Sequence, residues 1–167
     1  MEGICVRSRW NINTIMCKYC NDDITDIKGI FDGINIKEEA PTFYIVTFIN
    51  GINVGEPVEL IYCIDEVRGK RRAYLGKIKM MQKKKLACFK DGTEKVGTMN
   101  NCSIDAVCRK IEKADFPSEG AYELKVFGYI GENEIKKIDL LNDEDILSKL
   151  EDEKLMSTYP FRVNYSK

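Results

Sequence analysis

Period-two alternation of apolar and polar residues recurs along most of this chain, and it confines the fold to sheets. Val58, Leu60, Tyr62 and Ile64 alternate with Glu59, Ile61, Cys63 and Asp65. Tyr74, Gly76, Ile78 and Met80 alternate with Ala73, Leu75, Lys77 and Lys79. Tyr122, Leu124, Val126, Gly128 and Ile130 do the same, and so do Tyr159, Phe161, Val163 and Tyr165. Successive side chains of a strand point to opposite faces, so each set turns one apolar face toward a core. Phe43 to Ile49 is apolar nearly throughout, between Pro41 and Asn50-Gly51, and reads as a central strand.

The punctuation fits antiparallel sheets. Arg68-Gly69, Asp91-Gly92 and Gly131-Glu132-Asn133 separate strand candidates at hairpin distances, with no strand-helix-strand rhythm. The expected class is mainly β, an antiparallel sandwich. One short C-terminal helix is expected over about 143–154, because Asn142 precedes Asp143, Glu144 and Asp145, and Ile146, Leu147 and Leu150 form a helical stripe. A final strand follows over about 158–165. Residues 103–112 are ambiguous: Ile104, Val107, Cys108 and Ile111 suit a helix, but the context favours a strand. At 167 residues, with 44% hydrophobic side chains and neither repeats nor linkers, a single domain over 1–167 is expected.

Phe116-Pro117-Ser118-Glu119-Gly120-Ala121-Tyr122 has the form of a tyrosine corner, in which a strand-borne Tyr hydroxyl bonds back to the preceding turn. An ordinary hairpin entry is the alternative. Three segments carry a family resemblance: Ile15-Met16-Cys17-Lys18-Tyr19-Cys20; Lys28-Gly29-Ile30-Phe31-Asp32-Gly33-Ile34 followed by Pro41 and the strand from Phe43; and the corner itself. On these, roughly residues 13–130 resemble a family of uncharacterised bacterial and prophage proteins. The resemblance implies an immunoglobulin-like β-sandwich and carries no functional residue.

Chemistry is constrained chiefly by one absence, since the chain has no histidine. That removes Ser-His-Asp and Cys-His pairs, histidine bases and histidine metal ligands. No dinucleotide fingerprint, P-loop, Ser-x-x-Lys or EF-hand loop is present. The expectation is therefore no enzyme, no catalytic residue, no cofactor and no metal.

The cysteines allow one alternative. Cys17-Lys-Tyr-Cys20 is the one CxxC among seven cysteines, and a thiol or zinc site built on Cys17 and Cys20 is a different-class reading. Alternation across Ile15–Cys20 suits a strand, however, in which residues three apart face opposite sides and cannot share a metal. Idle thiols, no membrane span and no apolar leader in the first twenty residues suggest a cytoplasmic protein.

Charge is the informative feature. There are 26 basic and 27 acidic residues, yet Arg68 to Lys90 holds only basic ones, while Glu132 to Lys154 is dominated by acids. Arg68, Lys70, Arg71, Arg72, Lys83, Lys84 and Lys85, with Tyr74 as an aromatic neighbour, form a candidate binding patch. An acidic protein surface is the expected partner. Nucleic acid, with Tyr74 and Phe89 stacking bases, is the second choice, because the net charge of −1 opposes phosphate binding. The bland alternative is neutralisation of the basic strands by the acidic C-terminal helix. The two-sided apolar strand at Phe43–Ile49 needs cover from that helix or from a second copy, so a homo-oligomer is also possible. Together these features suggest a non-catalytic protein-binding or adaptor module of bacterial or phage type.

Overall fold

The computed structural model of the protein describes residues 11–20, 26–30, 33–36, 42–50, 57–69, 71–81, 84–89, 94–98, 103–110 and 116–165. Among them are eleven strands: β1 (Asn11–Cys20), β2 (Ile27–Ile30), β3 (Gly33–Ile36), β4 (Thr42–Asn50), β5 (Val58–Glu66), β6 (Arg72–Met81), β7 (Lys84–Phe89), β8 (Glu94–Thr98), β9 (Ser103–Lys110), β10 (Gly120–Ile130) and β11 (Leu155–Tyr165). Two helices, α1 (Glu132–Asp139) and α2 (Asp143–Lys149), lie between β10 and β11. The fold is mainly β, as the alternation requires, and residues 103–110 are a strand.

One sheet runs β2-β1-β4-β9 and the other β3-β11-β10-β5-β6-β7-β8. All pairings are antiparallel except β3 with β11. The chain changes sheets between β2 and β3. The hairpin expected around Asp91-Gly92 pairs β7 with β8, although those two residues lie outside the described ones.

The sheets pack face to face. Ile12 and Met16 of β1 and Ile45 of β4 meet Leu60, Tyr62 and Ile64 of β5, Leu124 and Val126 of β10, and Phe161 and Val163 of β11. A hydroxyl chain crosses this apolar layer. Thr47 Oγ1 lies 2.7 Å from the Tyr62 hydroxyl and 3.2 Å from Thr14 Oγ1, so buried hydroxyls of both sheets satisfy one another.

The other face of the larger sheet is also apolar. Ile61, Cys63, Tyr74, Phe127 and Tyr129 form a second core with Ile135 and Ile138 of α1 and Ile146 of α2. The helical layer therefore covers β5, β6 and β10, and not β4 as expected. In the smaller sheet, Cys17 and Val46 are already wholly buried on the outer face, with Ile15, Tyr44 and Phe48 packed against them. Ile15, Tyr44 and Phe48 on that face are only half-buried, and Tyr19 is exposed.

Three local expectations are corrected. Gly131-Glu132-Asn133 starts α1 and is not a turn between strands; Gly131 has φ of 92°, a left-handed conformation that glycine adopts at no steric cost. The C-terminal helix is shorter than 143–154. Asn142 caps α2 by accepting from the Asp145 backbone N–H at 2.8 Å, but Leu150 is extended, and a single 3₁₀ turn over Asp152–Lys154 leads directly into β11 at Leu155. The alternation of β6 is interrupted as well. Tyr62 pairs with Gly76 but Cys63 with Tyr74, so Leu75 is an extra, bulged residue. The bulge sends Tyr74 to the helix-covered face while Gly76, Ile78 and Met80 stay on the inner one.

Candidate functional site

The structure divides the residues of the expected basic patch. The β5–β6 turn and the β6–β7 connection lie at opposite ends of β6, a strand of 10 residues, and thus roughly 30 Å apart. Arg68 and Arg71 are at the first end; the backbone of Lys84 and Lys85 is at the second. Lys70 and Lys83 lie outside the described residues, and so do the side chains of Lys84, Lys85 and Phe89. Tyr74 is buried beneath the helical layer and presents no ring to a partner.

Arg72 is engaged internally. Its Nε donates to Asp65 Oδ1 at 2.5 Å and its second nitrogen to Asp65 Oδ2 at 2.8 Å, and its guanidinium stands 5.1 Å from the centre of the Phe127 ring. Lys125 Nζ approaches the same carboxylate at 3.0 Å. Burial alone would raise the Asp65 carboxyl, but the hydrogen bonds from Arg72 and Lys125 hold it below the ordinary aspartate value.

Lys77 and Lys79 are also neutralised from within. Lys79 Nζ donates to Asp139 Oδ2 at 2.5 Å, and Lys77 Nζ lies 3.4 Å from Glu59 Oε1 and 3.7 Å from Asp139 Oδ1. Asp139 is the last residue of α1, so acidic helical segment and basic strand do face each other. Glu59 is completely buried. Burial, followed by the neighbouring Asp139 carboxyl, pushes its carboxyl up to about 7.

What remains free is the β5–β6 turn. Val67, Arg68, Gly69 and Arg71 are exposed, and neither arginine has an ion pair among the described residues. Val67 is 50% exposed, one of few large apolar side chains so placed. The turn is held firmly. Glu66 N–H donates to the Arg71 carbonyl at 2.8 Å and Val67 N–H to the Ala121 carbonyl at 3.1 Å. Ser118 Oγ donates to Glu66 Oε1 at 2.7 Å. The Glu66 carboxylate packs over Gly69, where a Cβ would stand 2.5 Å from it.

Ser118 belongs to the expected corner, which is present. The Tyr122 hydroxyl donates to the Ser118 carbonyl at 2.6 Å, and its ring packs edge-on against Phe116, 5.1 Å between centres. The Tyr165 hydroxyl donates to the Phe116 carbonyl, and Glu119 Oε1 accepts from the Tyr165 backbone N–H at 2.6 Å. Sequence reasoning found this corner but not its attachment, through Ser118 and Glu66, to the basic turn.

Cys17 and Cys20 occupy positions of opposite parity in one unbroken strand, and the Cys17 thiol is buried, donating to the Tyr19 carbonyl at 3.3 Å. The Cys20 side chain lies outside the described residues. Cys63 is buried too, and burial pushes its thiol up to about 12, which makes it a poor nucleophile. No group of metal-binding side chains occurs among the described residues. No helix there is long and apolar enough to cross a membrane.

No protein-family model matches the chain, so the bacterial and prophage family gains no support. No curated protein matches it. Among solved structures it is similar to an immunoglobulin-like protein from Pseudomonas aeruginosa, at 12% identity and a TM-score of 0.35, over 93% of this chain and 91% of that one. At that likeness no residue role is transferred.

Proposed function

We propose that this chain is a non-catalytic protein-binding module that engages an acidic protein surface through its β5–β6 turn. Arg68 and Arg71 supply the charge, Val67 supplies an apolar contact, and Lys70 belongs to the same turn by sequence. One observation carries this reading. Within the basic segment the strand cations Arg72, Lys77 and Lys79 are spent on Asp65, Glu59 and Asp139, whereas Arg68 and Arg71 are exposed and unpaired among the described residues. A turn already fixed by Ser118, Glu66 and Ala121 loses little conformational freedom on binding, which favours affinity. Arginine forks suit carboxylates, and neighbouring exposed charge raises the association rate.

A nucleic-acid role for the whole 68–90 segment has less support, because its cations are divided between two ends and an internal network. Its aromatic partner Tyr74 is buried. A thiol or zinc site at Cys17 and Cys20 meets the strand geometry already described.

The test is a pull-down from the source cells with the native chain, an R68E/R71E variant and a K136E/K149E control that reverses exposed helix lysines. Proteins retained by the native chain and the control, lost with R68E/R71E and released by salt, support the reading. Identical retention by all three contradicts it. A salt titration against DNA and RNA is expected to show no retention even at low salt.

A further inference from the structure

The least satisfied polar groups among the described residues lie under the C-terminal end of α1. Both carboxylate oxygens of Glu59 and the Oδ1 of Asp139 are buried without a hydrogen-bond donor. Lys79 is committed to Asp139 Oδ2, and Lys77 reaches the two carboxyl groups only at 3.4 and 3.7 Å. Two ionised carboxylates in this position would repel and would leave three acceptors empty. If one of them carries a proton, an acceptor becomes a donor, and one hydrogen bond between the two residues satisfies two of the three. The lysine bond keeps Asp139 ionised, which leaves Glu59 as the acid.

Every element packed around Glu59 bears on this choice. Strand β6 contributes Lys77 and Lys79; β10 contributes Tyr129, directly opposite on the same face; α1 contributes Asp139. Cys88 of β7 stands across from Lys77 and, through burial and Glu94, is itself a poor acid. The lysines favour an ionised Glu59, while burial and Asp139 oppose it.

We propose that Glu59 is held as a carboxylic acid that donates to Asp139, and that this shared proton clamps the C-terminal end of α1 to the sheet, so that the helical layer loosens when the proton leaves. The rise of the Glu59 carboxyl to about 7 from its ordinary 4.5 is in keeping with that geometry. A raised carboxyl binds its proton more tightly in the folded than in the unfolded chain. The folded state is therefore favoured below the folded value, and the advantage disappears as pH rises from 4.5 to about 7.

The test compares urea unfolding at about pH 5.5 and about pH 8.5, on either side of the expected transition, for the native chain, E59Q and an E144Q control at an exposed site. The folding constant of the native chain and the control should fall between the two conditions by roughly 30-fold. E59Q should lose most of that fall, because its amide can donate to Asp139 at either pH. An equal fall in E59Q overturns the proposal. Should E59Q fail to fold, hydrogen exchange on the native chain decides. Protection factors over 132–149 should drop at high pH more than those of β10, and a uniform response would contradict the clamp.

Discussion

Asp65 and Glu59 sit on the same face of the same strand, yet their surroundings treat them in opposite ways. Asp65 receives a two-pronged arginine and a lysine, and its carboxyl is held low. Glu59 is buried more deeply, faces another carboxylate, and is raised to about 7. Both have two cations within ion-pair distance or close to it, so charge count does not separate them. Hydrogen-bond geometry does. Arg72 satisfies both Asp65 oxygens, whereas Lys77 and Lys79 give their best contact to Asp139. A carboxylate is kept ionised in a sheet by donors aimed at it, not by positive charge nearby.

The largest break in this comparison is expected from D65A. It leaves Arg72 and Lys125 partly buried with no counter-charge and should cost about 3 kcal/mol in urea unfolding at neutral pH. Next comes E59Q, which should raise stability at about pH 8.5 by roughly 2 kcal/mol, because a neutral amide replaces a buried charge. The same change should be nearly neutral at about pH 5.5, where the native group already carries its proton. The acid limb belongs to the other cluster. A lowered carboxyl stabilises the fold above its unfolded value of 3.8 and loses that contribution as pH falls through the folded value, so D65N should flatten the decline seen below 3.8.

Smaller effects sharpen the contrast. Y122F removes the hydroxyl that ties the corner to Ser118 and should cost about 1 kcal/mol, read as a shift in urea midpoint. R68E/R71E touches neither carboxyl cluster and should change stability by less than about 0.5 kcal/mol while abolishing partner capture, a separation that unfolding and pull-down data together would reveal.

Local features were legible in the sequence. The tyrosine corner is confined to Phe116–Tyr122, the α2 cap to Asn142 and Asp145, and the strand reading of Ile15–Cys20 to unbroken alternation. What was lost depends on distant or non-periodic information. The bulge at Leu75 reverses the direction of Tyr74, and the adjoining Gly76 is its one local sign, which strict alternation passes over. Helix α1 buries only Ile135 and Ile138 and begins at a glycine that also suits a hairpin. A signal for the helical layer did exist. Ile61, Cys63, Phe127 and Tyr129 are apolar on the face that alternation assigns to solvent, the mark of a sheet covered on both sides. The pairing of Lys79 with Asp139 joins residues far apart in the chain, and no spacing rule reaches that far.

The most direct measurement is a carbon-13 NMR titration of the side-chain carboxyl groups, following Glu59 and Asp65 in one sample. Glu59 should titrate near pH 7 and Asp65 below 3.8. If Glu59 instead titrates near its ordinary 4.5, it is ionised at neutral pH, and the contrast between the two clusters does not exist.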